Sequence, residues 1–151
     1  MKRFALFVIA LMCMFNAAAA SKSYDLVSPD GTLKVEVKVG DDILYSIWKN
    51  SDRILMPSAI AMKLVDGTAY DASSRFQKAS RSSVDRTLDA LYYKKSQVEE
   101  NYTQLTLQFK TFDLVFRAYD DGVAYRFVSK AKGAFNVLSE TAEFAFPADW
   151  N

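Results

Sequence analysis

The chain has 18 acidic residues and no histidine, which limits the chemistry open to it. Three acid pairs are adjacent: Asp41-Asp42, Glu99-Glu100 and Asp120-Asp121. Two carboxylates can hydrolyse a glycosidic bond when they face each other about 5 to 9.5 Å apart across a sugar. Several can also hold calcium. The two aspartate pairs lie in turn sequences. Around neither is there the spacing of a calcium loop, with acids at alternate positions and a distal glutamate, so they read as turn caps. Glu99 and Glu100 are neighbours in an extended stretch and point to opposite faces, so they cannot work as a pair. Solubility at a turn or edge is the better reading of them. Without histidine there is no Ser-His-Asp or Cys-His arrangement and no histidine-based zinc site. The single cysteine, Cys13, sits in the apolar leader. On these grounds no catalytic, cofactor-binding or metal-ligating residue is assigned.

Four other features could carry binding. Trp48 alternates with Leu44 and Ser46, opposite Ile43, Tyr45 and Ile47, so its ring either stacks on a sugar or fills a second layer. Tyr92-Tyr93 puts one ring on each face of a strand. Core packing is the default for aromatics in a sandwich, and it is the reading preferred here. Asn101-Tyr102-Thr103 matches the glycosylation sequon, an accidental match in a bacterial periplasm. Arg117 and Arg126 flank Asp120-Asp121-Gly122 on its polar face, and cross-strand pairing with Asp113 or Asp120 explains them.

The elements that hold these residues repeat with period two. Leu33, Val35, Val37 and Val39 alternate with polar residues, as do Leu105, Leu107 and Phe109. Phe112, Leu114 and Phe116 form another set, and Val123, Tyr125 and Phe127 a further one. Such alternation turns one face to a core and the other to water. Turn chemistry separates the strands. Ser28-Pro29-Asp30-Gly31 has Pro to preset φ and Gly for the left-handed position. Gly40-Asp41-Asp42, Asn50-Ser51-Asp52 and Asp66-Gly67 follow, and Asp120-Asp121-Gly122 predicts a hairpin. In Ser73–Asp89 the alternation fades, and only Phe76 and Val84 look buried. That stretch reads as a surface excursion or an edge region, with a helix over Ser82–Leu91 capped by Ser83 as the lesser alternative. Short strands with regular turns predict an all-β, antiparallel β-sandwich. The last strand is expected over Glu140–Phe146. The Trp150 that follows wants burial, and no later residue is present to bury it, so the chain reads as the front part of a longer protein.

The chain's beginning bears on where it works. Met1-Lys2-Arg3 is basic, Phe4 to Phe15 is unbroken apolar sequence, and Ala17 to Ala20 precedes polar Ser21. This is the order of a secretory signal, too short for the roughly 20 residues of a membrane span. The expected division is a signal peptide over 1–20 and one β-sandwich domain over 21–151. Met12 is too bulky for the position before a lipidated Cys13. The full chain carries a net charge of +1, and loss of Lys2 and Arg3 takes it to −1. Such a balance gives no electrostatic reason for a nucleic-acid or anionic-membrane partner. Export without disulfides points to a bacterial periplasm.

Ser28-Pro29-Asp30-Gly31-Thr32-Leu33-Lys34-Val35 and the run Phe116-Arg117-Ala118-Tyr119-Asp120-Asp121-Gly122-Val123-Ala124-Tyr125-Arg126-Phe127 carry a family signal. Together they resemble the N-terminal domain of glycoside hydrolase family 97, over most of Tyr24 to Phe146. The second run is the more specific. The resemblance implies a sandwich of the super-sandwich type, incomplete here, and a parent enzyme that is an exported exo-acting α-glucosidase or α-galactosidase. It also implies a (β/α)8 catalytic barrel, a small C-terminal β-domain, barrel carboxylates as catalysts, an oligosaccharide substrate and calcium in the full-length parent. The resemblance further implies that a calcium ligand or so reaches in from the N-terminal domain, but no carboxylate between Ser21 and Asn151 is matched to that role. The expected role of this chain is to brace the barrel and its carbohydrate-binding pocket, without activity of its own. The alternative is a stand-alone periplasmic sandwich that binds carbohydrate or protein.

Overall fold

A computed structural model describes residues 21–89 and 96–148. The expected signal segment, the Tyr92-Tyr93 pair and Trp150 lie outside the described residues. Every regular element described is a strand, and together they form two antiparallel sheets. The first sheet contains β1 (Lys22–Val27), β2 (Leu33–Val39), β3 (Ile43–Lys49), β4 (Asp52–Leu64) and, beyond β4, β10 (Val137–Ala142). The short β5 (Ala69–Tyr70) pairs with the far end of β4. The second sheet runs β6 (Phe76–Asp89), β7 (Gln97–Phe109), β8 (Phe112–Ala118), β9 (Val123–Ser129).

The alternating residues fill the space between the sheets. Val35, Val37, Leu105, Leu107, Phe109, Phe112, Leu114 and Phe116 are fully buried. Each such side chain stabilises the fold by about 1.5–3 kcal/mol relative to exposure. The core is largely aromatic. Phe109 and Phe112 stack at 4.5 Å between centroids, and Tyr70 stacks on Phe112 at 5.0 Å. Tyr45 of β3 meets Phe116 at 5.8 Å and Tyr125 at 5.7 Å, tying the two sheets together.

The turns follow the expected chemistry. Gly31 has φ +79°, and its N–H donates to the Ser28 carbonyl at 3.0 Å. Gly67, at φ +86°, closes β4 with its N–H on the Leu64 carbonyl. Asn50 takes φ +56° in the tight β3–β4 turn, a conformation asparagine tolerates better than most residues. Tyr119 donates its N–H to the Gly122 carbonyl at 2.8 Å, closing the expected β8–β9 hairpin.

Two expectations need correction. Of the readings of Ser73–Asp89 the edge region holds, while the loose excursion and, over Ser82–Asp89, the helix do not. Residues 76–89 form the longest strand described, with β7 as its partner from Phe76↔Phe109 to Asp89↔Gln97. It is an edge strand, and most of its side chains face solvent on both sides, so no burial imposes alternation. The last strand spans Val137–Ala142 rather than Glu140–Phe146. Its contacts with β4 continue past its end, with Glu143 N–H on the Ala59 carbonyl and Met56 N–H on the Ala145 carbonyl. No helix among the described residues is long and apolar enough to cross a membrane.

Candidate functional site

The two sequence runs that carry the family signal meet in space. The Asp120 carboxylate accepts the backbone N–H of Asp30 at 2.9 Å, across 90 positions of sequence. Asp30 in turn organises its own turn. Its carboxylate accepts the Ser28 hydroxyl at 2.6 Å and both the N–H and the hydroxyl of Thr32 at 2.9 Å. The Ser28 bond, above all, holds the Asp30 carboxyl below its usual range, with the Thr32 backbone bond next. Asp120 is therefore a clamp between two turns rather than the cap of its own turn. Period-two reading is blind to such a contact. Asp41-Asp42 stays a local turn, with Gly40 N–H on the Asp42 carbonyl.

The outer face of the second sheet carries the largest polar network. Glu100 lies inside β7, not in a turn before it, and its side chain is 19% exposed. Arg86 of β6 binds it through both Nε and Nη2 at 2.6 Å. Arg117 lies 4.2 Å above the Tyr102 ring, donates to Gln104 at 3.0 Å, and has Nη1 3.8 Å from Glu100. Tyr102 is 4% exposed beneath it and meets Tyr119 at 5.2 Å. Two readings of these residues change. Glu100 is an ion-pair hub rather than a solubilising residue. Arg117 pairs with β7 and not with Asp113 or Asp120, while Asp113 is taken by Lys130 at 2.7 Å. Arg126 stands opposite Val115, exposed. The guanidinium groups and Tyr119 edge a shallow depression floored by Val115 and Ala124.

Trp48 is half-buried on the outer face of the first sheet. Lys34 of β2 and Arg53 of β4 are its cross-strand neighbours, with their charges 5.6 and 4.5 Å from the ring. These cation–π contacts compete with a sugar for the ring face. The sequon lies in β7, where the Thr103 hydroxyl donates to the Val27 carbonyl of β1, a contact between the sheets.

Among the described residues no three acids come together as a metal-binding group. No chemical step through the calcium that the family resemblance implies is derived from this chain.

Comparison with known proteins agrees with the geometry. Residues 26–151 match the sequence model of the family described as glycosyl-hydrolase 97 N-terminal. A retaining alpha-galactosidase of Bacteroides thetaiotaomicron is 38% identical over 150 residues, which is 99% of this chain and 22% of that protein. A probable retaining alpha-galactosidase of Streptomyces bingchenggensis is 28% identical over 126 residues, 80% of this chain and 19% of that one. The chain thus spans about a fifth of the length of these relatives. Among solved structures, a family 97 enzyme from Pseudoalteromonas sp. strain K8 in complex with panose superposes with TM-score 0.71 at 22% identity, over 82% of this chain and 20% of that one. A beta-arabinopyranosidase superposes with TM-score 0.72 at 24% identity, over 83% and 22%. These likenesses establish the shared sandwich. The sequence match, spanning both runs that Asp30 and Asp120 bring together, assigns the chain to the N-terminal domain family of glycoside hydrolase 97.

Proposed function

We propose that this chain is the non-catalytic front part of an exported exo-acting α-glycosidase, bracing a (β/α)8 catalytic domain and its carbohydrate-binding pocket. The observation that carries the proposal is the match over residues 26–151 to an N-terminal domain in relatives about five times longer. The chemistry is consistent with it. Several acids of the described residues are spent on turns and ion pairs: Asp30 and Asp120 clamp loops, Glu100 neutralises two arginines, and Asp113 holds Lys130. In this reading the periplasm is the compartment, the apolar leader is removed on export, and calcium belongs to the parent enzyme's remaining polypeptide. The retaining alpha-galactosidase relatives favour an α-galactoside as substrate, with an α-glucoside as the other choice.

The test compares residues 21–151 with the same sequence continued into whatever its gene encodes downstream. Both are assayed on p-nitrophenyl α-galactoside and α-glucoside. The longer polypeptide is expected to release p-nitrophenol and the shorter none. Steady turnover by the short chain, or a natural stop after codon 151, overturns the reading.

A further inference from the structure

The end of the sandwich opposite the Asp30–Asp120 clamp is polar and basic. Three connections meet there: the β4–β5 turn, the stretch 71–75 that leads into β6, and the β7–β8 turn at residues 110 and 111. The Lys110 N–H bonds the Arg75 carbonyl at 2.9 Å, so these two positions are held side by side. The connections enclose an open bowl of about 590 Å³. Small-molecule sites run from about 300 to 1,000 Å³.

Positive charge is left over in the bowl after local pairing. The acids closest in sequence to its lining are committed elsewhere. Asp66 accepts the Thr68 N–H at 2.9 Å, and Asp71 accepts the Ser73 N–H at 2.9 Å and the Ser73 hydroxyl at 2.5 Å. Asp113 pairs with Lys130 at 2.7 Å. Arg75 and Lys110 are exposed and, among the described residues, form no ion pair. Like charges set side by side repel, and an anion between them relieves the repulsion. Further donors line the bowl. Gln77 is the extra residue of a β-bulge: Phe76 pairs with Phe109 and Lys78 with Gln108, which leaves Gln77 without a partner on β7. A bulge re-aims a side chain, and here that side chain lines the bowl. The Ser74 and Thr111 hydroxyls share one hydrogen bond at 2.8 Å, so whichever accepts keeps its own proton to donate.

We propose that this bowl binds a small organic anion by its carboxylate or phosphate-ester group. The Arg75 guanidinium and the Lys110 ammonium take the charged oxygens, and Gln77 and the Ser74–Thr111 hydroxyl pair take polar groups on the rest of the molecule. The donor set selects this class. The parallel N–H groups of a guanidinium match the edge of a carboxylate or a phosphate. None of the described residues that line the bowl is aromatic, so it offers no ring face on which a neutral sugar could stack. A bare inorganic ion fills only a small part of the volume, which leaves room for an organic body. The site lies within this chain and stands whether or not the chain belongs to a glycosidase.

Calorimetric titration and amide chemical shifts of the full chain test this, with galacturonate, glucose 1-phosphate, inorganic phosphate and galactose as probes. Galacturonate, glucose 1-phosphate or both are expected to bind and to shift the amides of residues 73–77, 110 and 111, and added salt should weaken the binding. The tighter of the two names the oxyanion. Arg75→Ala and Lys110→Ala should each weaken binding by about tenfold with the remaining amide shifts unchanged. Where alanine disturbs the fold, Arg75→Gln and Lys110→Gln repeat the measurement with a longer uncharged side chain. Lys49→Ala removes an exposed cation at the other end of the sandwich, beside Leu33, and should leave binding as it was. Failure of both acidic probes to bind, or shifts confined to other residues, overturns the proposal. Galactose binding as tightly as the acids removes the role of charge, and inorganic phosphate doing so removes the organic body; either result overturns it as well. So does binding that survives the loss of Arg75 and of Lys110.

Discussion

Asp30 and Asp120 stand in two different turns and share one hydrogen bond, and that bond shows what an acidic residue does in this molecule. A backbone N–H at a turn corner needs an acceptor. The Asp120 carboxylate supplies it and so fixes the β1–β2 turn against the β8–β9 hairpin. A bond of this kind is worth about 1 kcal/mol net. Asp120→Ala is therefore expected to lower the melting temperature by roughly 3–5 °C for a domain of this size. Asp121→Ala, at an exposed neighbour, should stay within about 0.5 kcal/mol of the parent. Thermal denaturation of the two variants side by side checks this, and equal losses would show that the corner contact contributes nothing beyond turn propensity. The same residues show where sequence reasoning stops. Composition tells that a turn aspartate caps something, but which N–H it reaches depends on how distant turns meet, and no local pattern encodes that.

The strands divide into those whose alternation is enforced by burial and those without such enforcement. Leu33 to Val39, Leu105 to Phe109 and Phe112 to Phe116 are legible in the sequence because one face of each is sealed against the other sheet. Residues 76–89 are legible only as an edge region and not as a regular strand, because no burial enforces alternation along β6. Beyond Ser83 it runs with β7 as a two-stranded ribbon, since β8 pairs only with Thr103–Gln108 of β7. Register was hidden too. Arg117 lies opposite Gln104 and Ala124, a pairing set by strand lengths and turns across the whole sheet, and so it misses the aspartates nearer in sequence. A two-stranded ribbon is marginal by itself, and its cross-strand bonds are Arg86 with Glu100 and Gln97 with Asp89. Removing the hub by Glu100→Ala should cost up to about 1 kcal/mol and act locally. The expected outcome is amide exchange up to about fivefold faster over 83–89 and 97–102, with exchange in Leu105–Phe109 unchanged. A uniform acceleration across β7 would mean that the ribbon opens only with the whole sheet.

At the scale of the molecule the two sheets are joined by aromatic rings, and two tyrosines, Tyr45 and Tyr125, meet at the β3–β9 contact. Tyr45 is 3% exposed and donates its hydroxyl to the Glu143 carbonyl at 3.2 Å. Burial first, and the neighbouring Tyr125 second, push its pKa from the ordinary 10.0 up to about 12. Tyr125 is also pushed up, by burial and then by the charge of Glu140 on β10. The fold therefore holds both phenols neutral. A group whose pKa is higher folded than unfolded gives its full stabilisation below the unfolded value, and that stabilisation drains away as pH climbs through the folded one. For Tyr45 the window is pH 10 to about 12. In that window the sheets should separate at the β3–β9 contact, and phenolate absorbance should rise together with loss of β-structure. Tyr45→Phe removes the ionisation and also the bond to Glu143. It should cost about 1 kcal/mol at pH 8 but lose less further stability than the parent between pH 10 and 12, so that the two curves of unfolding free energy against pH converge. Urea titrations at pH 8, 10 and 11.5 check this. Parallel curves would show that the ionisation of Tyr45 is not coupled to sheet packing, and that alkaline unfolding begins at other groups.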